Sequence, residues 1–501
     1  MERLAKFLVL LASCFTVCSG KNIVLILADD LDSVLDGMIP LKSTRKLIGD
    51  EGITYDNAFA AVPICCPNRA SILTGRYQHN HGTFNNSLEG GCNSIEWQQK
   101  HEPNTFAAIL KKQMNYTTFY AGKYLNQYGA KKAGGPARVP AGWDKWYGLV
   151  GNSKYYNYSL SANGVEKRYG AKPEDYLTDV IKNFGVDFIK QQKGRNQPFL
   201  MMLAPPAPHE PWYPAPRHSG HFHGTVAKRT KSFNTASQSD KHWLVRMGLS
   251  PLPPNMITVL DESFSMRWET LLAVDELVKA VYDQLNTSGL LNNTYIIFAS
   301  DNGYHMGQFS MPYDKRQPYD TDIRVPLLIR GPGLAPGKIN AAVSSVDLFA
   351  TIMEIAGAER PSDGMSLLNY NDKVDDRHVL IEYRGEKSEV KPQTGCPTDE
   401  DLNLSHCHKD FACKCQDAAN NTFSCVRRVS EHYNNVFCKF DDTEKFVEYY
   451  DLLTDESQMK NIGGTMGRNH RNKFRRRLDK LETCKGINCI LTGTKRKKHS
   501  T

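Results

Sequence analysis

Between residue 22 and about residue 385, short apolar runs alternate with segments of helical periodicity, and no other feature of the sequence constrains the fold as strongly. This alternation is typical of an α/β protein, in which helices cover a large central sheet of mostly parallel strands. We predict strands at 22–28, 116–121, 198–203, 295–299 and 325–330. We predict helices at 71–78, 175–192, 262–286 and 346–356, and long loops at 205–254, where proline, histidine and serine are frequent.

The character of the sequence changes after residue 385, because eight of the 13 cysteines lie beyond residue 395. We interpret this region as a smaller α+β domain with an antiparallel sheet, held by disulfides and ending in a basic helix at 468–481. A zinc site built from Cys413, Cys415, His406 and His408 is the alternative, but the spacing of these ligands is poor for zinc. The 11 cysteines that follow residue 20 are odd in number, which leaves one thiol unpaired.

The first 20 residues have the pattern of a secretory signal. Arg3 and Lys6 precede an apolar run at 7–17, and small residues suited to cleavage follow at 18–20. We therefore divide the chain into a signal peptide (1–20), a large α/β domain (21–385) and a cysteine-rich C-terminal domain (386–501). Since no later stretch approaches the ~20 apolar residues of a membrane span, we expect none.

Seven N-x-Ser/Thr sequons agree with passage through the secretory pathway, and together they predict a glycoprotein. The seven asparagines are Asn85, Asn115, Asn157, Asn286, Asn292, Asn403 and Asn420.

The formal net charge is +8, and it falls to +7 when residues 1–20 are removed. A mild positive balance suits an anionic substrate. Part of the charge lies in the basic runs 475–477 and 495–498, which we interpret as a solvated helix face and a frayed terminus. Neither nucleic acid nor a membrane is expected as a partner, and the oligomeric state stays open.

Polar residues follow four of the predicted strands where each strand ends. Asp29 and Asp30 follow the first strand, Lys123 the second, His209 the third, and Asp301, Asn302 and His305 the fourth. In open α/β sheets, ligands bind at the carboxyl ends of the strands. Polar residues also end strands simply as turn formers. Four cases with complementary charges favour an active site over that alternative.

The acidic and amide side chains at this edge predict a metal site. Asp29, Asp30, Asp301 and Asn302 offer oxygen ligands and neither sulfur nor imidazole, which favours Ca²⁺ or Mg²⁺ over zinc. Two adjacent carboxylates at a strand end repel each other unless a cation neutralises them.

The segment that begins at Cys65 carries the sharpest signal. Pro67 suits the first turn of a helix, so Cys65 would lie at a helix N-terminus, where the dipole and the free N–H groups favour anions. The residues alone predict either a reactive thiol at an anion site or a pair of cysteines, Cys65 and Cys66, that are disulfide-bonded or buried.

The motif C-x-P-x-R, running from Cys65 to Arg69 and followed by a helix and Thr-Gly-Arg, resembles the signature of the sulfatase family. In that family the first cysteine of the motif is oxidised to Cα-formylglycine by a formylglycine-generating enzyme. Asp29-Asp30, Gly122-Lys123, His209 and Asp301-Asn302-Gly303 stand in the order that the family uses. The resemblance covers essentially the whole chain after the signal, and it implies an alkaline-phosphatase-like fold.

Longer segments are similar to the N-acetylglucosamine-6-sulfatase branch of this family, namely 65–81, 121–129, 207–212, 301–333, 413–427 and 440–452. Extracellular endo-acting heparan 6-O-sulfatases share much of this pattern but carry a long basic insertion, which has no counterpart here. Asn68 stands where the family usually has serine. Leu125 stands where many sulfatases have histidine, a trait that the branch shares.

The resemblance implies hydrolysis of the 6-sulfate ester of non-reducing-end N-acetylglucosamine in heparan sulfate or keratan sulfate. Cys65, as formylglycine, would supply a hydrated aldehyde: one hydroxyl attacks sulfur, and loss of the other hydroxyl's proton expels sulfate. Ca²⁺, held by Asp29, Asp30, Asp301, Asn302 and residue 65 itself, would lower the pKa of the nucleophile.

The resemblance also implies roles for the cationic side chains. Arg69 would orient the hydrate, and Lys123, His209 and Lys315 would bind sulfate, with His209 or Lys315 as the acid for the leaving alkoxide. His305 is either a proton-transfer group or sugar contact, or a supporting residue behind the site. The implied location is the lysosome, with secretion as the alternative.

Three other functions remain to be distinguished. A phosphatase or phosphodiesterase of similar fold would use serine or threonine with two zinc ions, which Cys65 argues against. An endo-acting heparan 6-O-sulfatase would need cationic contacts along a long groove. A secreted glycan-binding protein with an inactive site would carry an unmodified thiol at residue 65.

Overall fold

The computed structural model describes residues 20–236, 239–368, 376–386, 404–411 and 414–492. The predicted signal, apart from Gly20, the basic run 495–498 and the sequon at Asn403 lie outside the described residues. So do Cys396 and Cys413.

The strands are numbered in chain order. They are β1 (Asn22–Ala28), β2 (Ile53–Tyr55), β3 (Ala58–Phe59), β4 (Thr117–Gly122), β5 (Lys145–Leu149), β6 (Ser159–Ala162), β7 (Val165–Arg168), β8 (Phe199–Ala204), β9 (Thr294–Ser300), β10 (His305–Met306), β11 (Tyr313–Asp314), β12 (Arg324–Val325), β13 (Leu327–Arg330), β14 (Gly337–Ile339), β15 (Val343–Ser344), β16 (Arg377–Tyr383), β17 (Leu404–His408), β18 (Lys414–Ala418), β19 (Phe423–Ser430), β20 (Tyr433–Phe440), β21 (Val447–Asp451) and β22 (Leu491–Thr492).

The α-helices are numbered in the same way. They are α1 (Lys42–Thr44), α2 (Cys65–Thr74), α3 (Gln78–His81), α4 (Phe106–Met114), α5 (Leu177–Gln192), α6 (Trp243–Arg246), α7 (Pro254–Thr287), α8 (Asp320–Ile323), α9 (Asp347–Ile355) and α10 (Arg468–Leu481). Within the described part of the chain, none of these helices combines the length and the apolar character that a bilayer crossing requires.

A ten-stranded mixed sheet forms the centre of the molecule, in the order β14-β2-β13-β9-β1-β8-β4-β5-β6-β7. The five strands β9-β1-β8-β4-β5 are mutually parallel, and antiparallel strands flank them. The carboxyl ends of these five strands therefore meet at one edge. This is the predicted α/β fold class with a mostly parallel central sheet.

Alternate side chains of β1 enter two different cores, as the two-residue period of a strand requires. Val24, Ile26 and Ala28 pack with α5 and α7 on one face. Ile23, Leu25 and Leu27 pack with α2, α4 and α9 on the other. Because both faces are covered, all seven residues of β1 are buried, and the strand reads as a continuous apolar run.

A second, five-stranded antiparallel sheet has the order β21-β20-β19-β16-β22. Helix α10 covers it through Phe474, Leu478 and Leu481. Its first strand, β16, precedes residue 385, so this sheet begins earlier in the chain than the predicted boundary at 385. The same apolar cluster includes Ile64, the residue before α2, so the second sheet packs directly against the start of that helix.

Four disulfides are present among the described residues: Cys66–Cys92, Cys407–Cys415, Cys425–Cys438 and Cys484–Cys489. Three of them lie in the C-terminal region, which confirms the prediction that disulfides hold this region together. Since Cys415 is bonded to Cys407, its sulfur is not a thiolate ligand, and this part of the zinc alternative is wrong.

Two elements differ from the prediction for local reasons. The predicted strand 325–330 is divided into β12 and β13, because Pro326 has no N–H to donate to a ladder. The predicted helix 71–78 begins six residues earlier, at Cys65, and ends at Thr74. Gly75 follows with φ of +65°, a conformation that stops a helix.

Candidate active site

Four neighbouring strands bring the predicted polar residues to one edge of the central sheet. Asp29 and Asp30 follow β1, Lys123 follows β4, His209 comes five residues after β8, and Asp301 follows β9. Asp29, Asp30, Lys123 and Asp301 are completely buried. Charged groups become buried in this way only when they are paired, so their partners define the site.

Cys65 is the first residue of α2, and Ile64 before it is extended. Its Sγ lies 3.7 Å from Oδ1 of Asp30, and among the described cysteines it alone is free. Burial raises the pKa of the Cys65 thiol to about 12. A protonated, buried thiol is a weak nucleophile, so the unmodified side chain is poorly suited to attack an ester.

Arg69, one turn along α2, connects three parts of the site. Its Nε donates to Oδ2 of Asp301 at 2.7 Å, and its Nη1 donates to the carbonyl oxygen of Lys123 at 2.7 Å. Its Nη2 lies 3.4 Å from Asp29. The guanidinium therefore holds the ends of β1, β4 and β9 together at the base of the helix.

The two lysines neutralise the two adjacent carboxylates. Lys123 Nζ donates to both oxygens of Asp29 at 2.9 and 2.8 Å. Lys315 Nζ donates to Oδ2 of Asp30 at 2.5 Å. Ser153, which the sequence did not predict, also donates to Asp29. It comes from an irregular segment after β5, where no local pattern marks it.

Burial and charge act against each other on these groups. Burial raises the pKa of Asp29, but Lys123, His209 and Arg69 outweigh it and hold that pKa well below its usual value. The pKa of Asp30 is lowered as well, chiefly by Lys315, although burial opposes this. The pKa of Asp301 is raised to about 6, because its burial is the larger effect.

His209 faces the carboxylates through one ring nitrogen. Its Nδ1 donates to the carbonyl oxygen of Glu210 at 2.5 Å, which leaves Nε2 directed at Asp30, 3.8 Å from Oδ2. Burial, followed by the charge of Lys315, lowers the pKa of His209 to about 4.

The oxygen donors of the site fit a hard cation, and a thiol sulfur and an imidazole nitrogen lie among them. Ligand atoms of Asp29, Asp30, Cys65 and His209 lie within 4.8 Å of one another. Asn302 Nδ2 donates to Oδ1 of Asp30 at 2.7 Å, whereas its Oδ1 is buried and accepts no hydrogen bond from the described residues. A buried carbonyl oxygen without a donor, beside three carboxylates, matches the ligands that Ca²⁺ or Mg²⁺ takes.

His305 lies behind the site and not in it. The hairpin β10–β11 buries its ring completely, with Nδ1 2.9 Å from Asp322 and Nε2 3.0 Å from Oε1 of Gln416. Burial lowers the pKa of His305, but Asp322 outweighs it and raises the pKa above its usual value. The proposal of a proton-transfer group or sugar contact therefore gives way to that of a supporting residue.

Asn68 is also buried and turned away from the opening. Its Oδ1 accepts hydrogen bonds from the Ala61 amide at 3.1 Å and from the Ser345 hydroxyl at 2.6 Å. Its Nδ2 donates to the carbonyl oxygen of Asp301. The asparagine thus anchors α2 to the end of β9.

A cavity of about 690 Å³ opens above Asp30, His209 and Lys315. This volume lies within the usual range of about 300–1,000 Å³ for ligand sites. The two sheets both contribute to its walls, since residues that follow β16 and residues that follow β4 line it. Besides the three residues at its base, the polar lining includes Asn85, Asn86, Ser87, Glu89, Asn126, Gln127, Asn152, Glu210, Asp314, Arg316, Arg384, Glu386 and Ser405.

Comparison with protein families gives one match over most of the chain. Residues 21–358 match the family model described as Sulfatase. N-acetylglucosamine-6-sulfatase of Homo sapiens is 47% identical over 507 residues, which cover 98% of this chain and 90% of that protein. The extracellular sulfatase SULF-1 homolog of Drosophila melanogaster is 40% identical, but the match covers 69% of this chain and 31% of that protein.

Solved structures confirm the fold. One of them is a protein in complex with its substrate D-glucosamine-2-N,6-O-disulfate. It superposes with a TM-score of 0.69 at 21% identity, over 92% of this chain and 97% of that one. At this level of identity the likeness concerns the fold alone.

Proposed function

This chain belongs to the sulfatase family, and from that premise we propose that it hydrolyses the 6-sulfate ester of N-acetylglucosamine at the non-reducing end of heparan sulfate or keratan sulfate. One observation carries the proposal. A cysteine at a helix start lies 3.7 Å from a carboxylate, in a cluster of buried lysines, carboxylates and a histidine at the base of a cavity. The similarity to N-acetylglucosamine-6-sulfatase over nearly the whole chain supports the choice of ester.

The nucleophile would come from Cys65 after its oxidation to formylglycine by a formylglycine-generating enzyme. A hydrated aldehyde supplies a hydroxyl for attack on sulfur and a second one whose proton loss releases sulfate. The high pKa of the unmodified thiol supports this need for conversion. Arg69, fixed by Asp301 and by the Lys123 carbonyl, would hold the new side chain in place.

The sulfate group would be bound by Lys123, Lys315 and His209. Both lysines are buried and already directed at carboxylates, so their charges are strong in this low-dielectric setting. His209 presents Nε2 to the site because its Nδ1 donates to Glu210, so Nε2 is the atom that would face the departing sugar oxygen, and it would have to gain a proton before it could act as the acid. Lys315 is the second candidate for this acid.

A calcium ion would be held by Asp29, Asp30, Asp301, Asn302 and the side chain of residue 65. Bound there, it would offer positive charge to a sulfate oxygen and to the nucleophile. The carbonyl oxygen of Asn302 supports this assignment, because it is buried without a hydrogen-bond donor among the described residues and a bound cation would satisfy it.

The N-terminal signal and the sequons concern the location of the protein. A signal segment and seven sequons support a glycoprotein that reaches the lysosome through the secretory pathway, with secretion as the alternative. We propose domain boundaries at residues 20 and 385.

The test compares two oligosaccharides that differ only in where the 6-sulfate lies. We expect sulfate release when 6-sulfated N-acetylglucosamine is the non-reducing terminal residue, and none when the same residue is internal. Comparable rates on both would indicate an endo-acting enzyme. No release from either, together with an unmodified thiol at residue 65 in peptide mass spectrometry, would indicate a glycan-binding protein with an inactive site.

A further inference from the structure

Arg384 stands at the mouth of the cavity, where no described carboxylate pairs with it. It follows β16, is exposed, and places its guanidinium carbon 4.0 Å from the ring centroid of Phe84. Within the part of the chain that the structure describes, it forms no ion pair. Its neighbour in the cavity wall, Arg316, is instead held by Asp314 and Glu386 at 2.5 and 3.1 Å.

The position of Phe84 is fixed relative to the nucleophile. Two residues after it, Asn86 accepts a hydrogen bond from the Cys66 amide at 2.9 Å and donates its own amide to Glu386 at 3.1 Å. The disulfide Cys66–Cys92 closes the same loop. Phe84 and Arg384 therefore form a platform that is anchored both to the start of α2 and to the strand end of β16.

The chemistry of the substrate determines what reaches this platform. The sulfate on C6 enters the base of the cavity, so the rest of the polymer, joined through C1, must leave through the mouth. In heparan sulfate the second residue is a uronate, which bears a carboxylate, whereas in keratan sulfate it is a neutral hexose. A guanidinium that lies over an aromatic ring and has no ion pair among the described residues suits a sugar that carries a carboxylate.

We propose that Phe84 and Arg384 form a subsite for the second sugar and that Arg384 selects a uronate there. This inference rests on the proposed function and deepens it, since it makes heparan-type ends the preferred substrate. Phe84 supports the ring of the second sugar, and Arg384 binds its carboxylate. The terminal sugar itself does not touch either side chain.

The experiment uses three substrates that share the terminal sugar: N-acetylglucosamine 6-sulfate alone, its disaccharide with a uronic acid, and the same disaccharide with the carboxyl group reduced to an alcohol. The protein variants are Arg384→Gln, Phe84→Leu and a control, Arg246→Gln. Arg246 is an arginine of α6 that pairs with Glu444 and does not line the cavity.

We expect the wild type to favour the uronate disaccharide over the reduced one by about fivefold in kcat/KM, the strength of an exposed charge pair. Arg384→Gln should abolish this preference, mainly by raising KM, and leave the monosaccharide unaffected. Phe84→Leu should weaken both disaccharides and spare the monosaccharide, and Arg246→Gln should change nothing.

Two results overturn the subsite. The first is an unchanged preference in Arg384→Gln, and the second is an equal loss on all three substrates, which indicates a structural role. In both cases the wild type still releases sulfate, so the proposed function stands. Absence of sulfate release by the wild type from every substrate would refute the proposed function together with the subsite.

Discussion

Adjacent residues at the start of α2 have opposite roles. Cys65 is a buried free thiol beside Asp30, which lines the cavity, whereas Cys66 is bonded to Cys92 and its amide is bound by Asn86. The helix period separates the two side chains, since neighbours along a helix face different directions. One cysteine is therefore available for chemistry, and the other fixes the loop that forms the cavity wall.

Substitution of the two cysteines should separate chemistry from stability. Cys65→Ala should abolish sulfate release and leave the melting temperature near that of the wild type, because the thiol makes only one long polar contact. Cys66→Ala should reduce stability by about 2–4 kcal/mol, the usual cost of losing a disulfide. Activity assays and thermal denaturation measure the two effects. Turnover above a few per cent in Cys65→Ala would contradict the assignment of the nucleophile.

Metal content is the second test at this scale. Protein with full activity should contain about one calcium per chain and no stoichiometric zinc, since all the proposed ligands are oxygens once residue 65 is formylglycine. Asp301→Ala should lose both metal and activity, and Asp301→Asn should do the same with less disturbance of Arg69. Elemental analysis and sulfate release are the measurements, with the exposed Asp479→Asn as control. Calcium retained at full stoichiometry in Asp301→Asn would show that this carboxylate is not a ligand.

At the scale of elements, a histidine joins α3 to the second sheet. His79 Nδ1 lies 3.0 Å from Glu382 of β16, and its Nε2 lies 2.9 Å from the carbonyl oxygen of Cys484, just beyond α10. Both partners accept, so the doubly protonated ring satisfies both. Burial lowers the pKa of His79, but the hydrogen bond and the charge of Glu382 outweigh it and raise the pKa.

This contact should make the protein more stable in acid. A raised pKa in the folded state means that the contribution is complete below the ordinary histidine value of 6.5 and disappears as the pH rises through the folded value. His79→Gln should therefore lower the melting temperature more at pH 5 than at pH 8, through loss of about 1.5 kcal/mol. The exposed His432→Gln is the matched control. An equal decrease at both pH values would contradict the proposed titration.

Some elements could be predicted from local patterns and others could not. The strand 22–28 and the helix 468–481 agree with β1 and α10 to the residue, because a doubly buried strand and an amphipathic helix each carry a strong pattern. The polar residues after the parallel strands could also be predicted, because ligands bind at the carboxyl ends of strands in open α/β sheets. Ser153 reaches the buried Asp29 from a loop, and Arg384 and Glu386 reach the cavity from another, and these approaches depend on tertiary packing that no local pattern encodes.

The whole molecule places its active site between two sheets. Residues that follow strands of the central sheet supply the buried charged groups, and the segments after β16 supply part of the cavity wall through Arg384, Glu386 and Ser405. The apolar cluster that includes Ile64 and the strands of the second sheet holds the two parts together. The second sheet therefore helps to position the cavity wall as well as to stabilise the fold.

Surface position predicts which sequons carry glycans. Asn115, Asn157, Asn286 and Asn292 are exposed, and we expect all four to be occupied. Asn85 lines the cavity, and its Oδ1 accepts hydrogen bonds from the amide and hydroxyl of Ser87 at 2.8 and 2.9 Å, so we expect it to remain bare. Peptide mass spectrometry after deglycosylation in heavy-oxygen water measures occupancy. A glycan on Asn85 would contradict the expectation.

The complete burial of Cys65 limits when this residue can be modified. In the folded chain no macromolecule can reach this thiol, so an enzyme that oxidises it must act while the segment is still unfolded. Oxidation and folding then compete in time, and a chain that folds before it is oxidised keeps an unmodified thiol. Such a molecule would have the same melting temperature as the oxidised molecules and yet release no sulfate. The specific activity of a preparation would thus measure the fraction of chains that were oxidised before they folded.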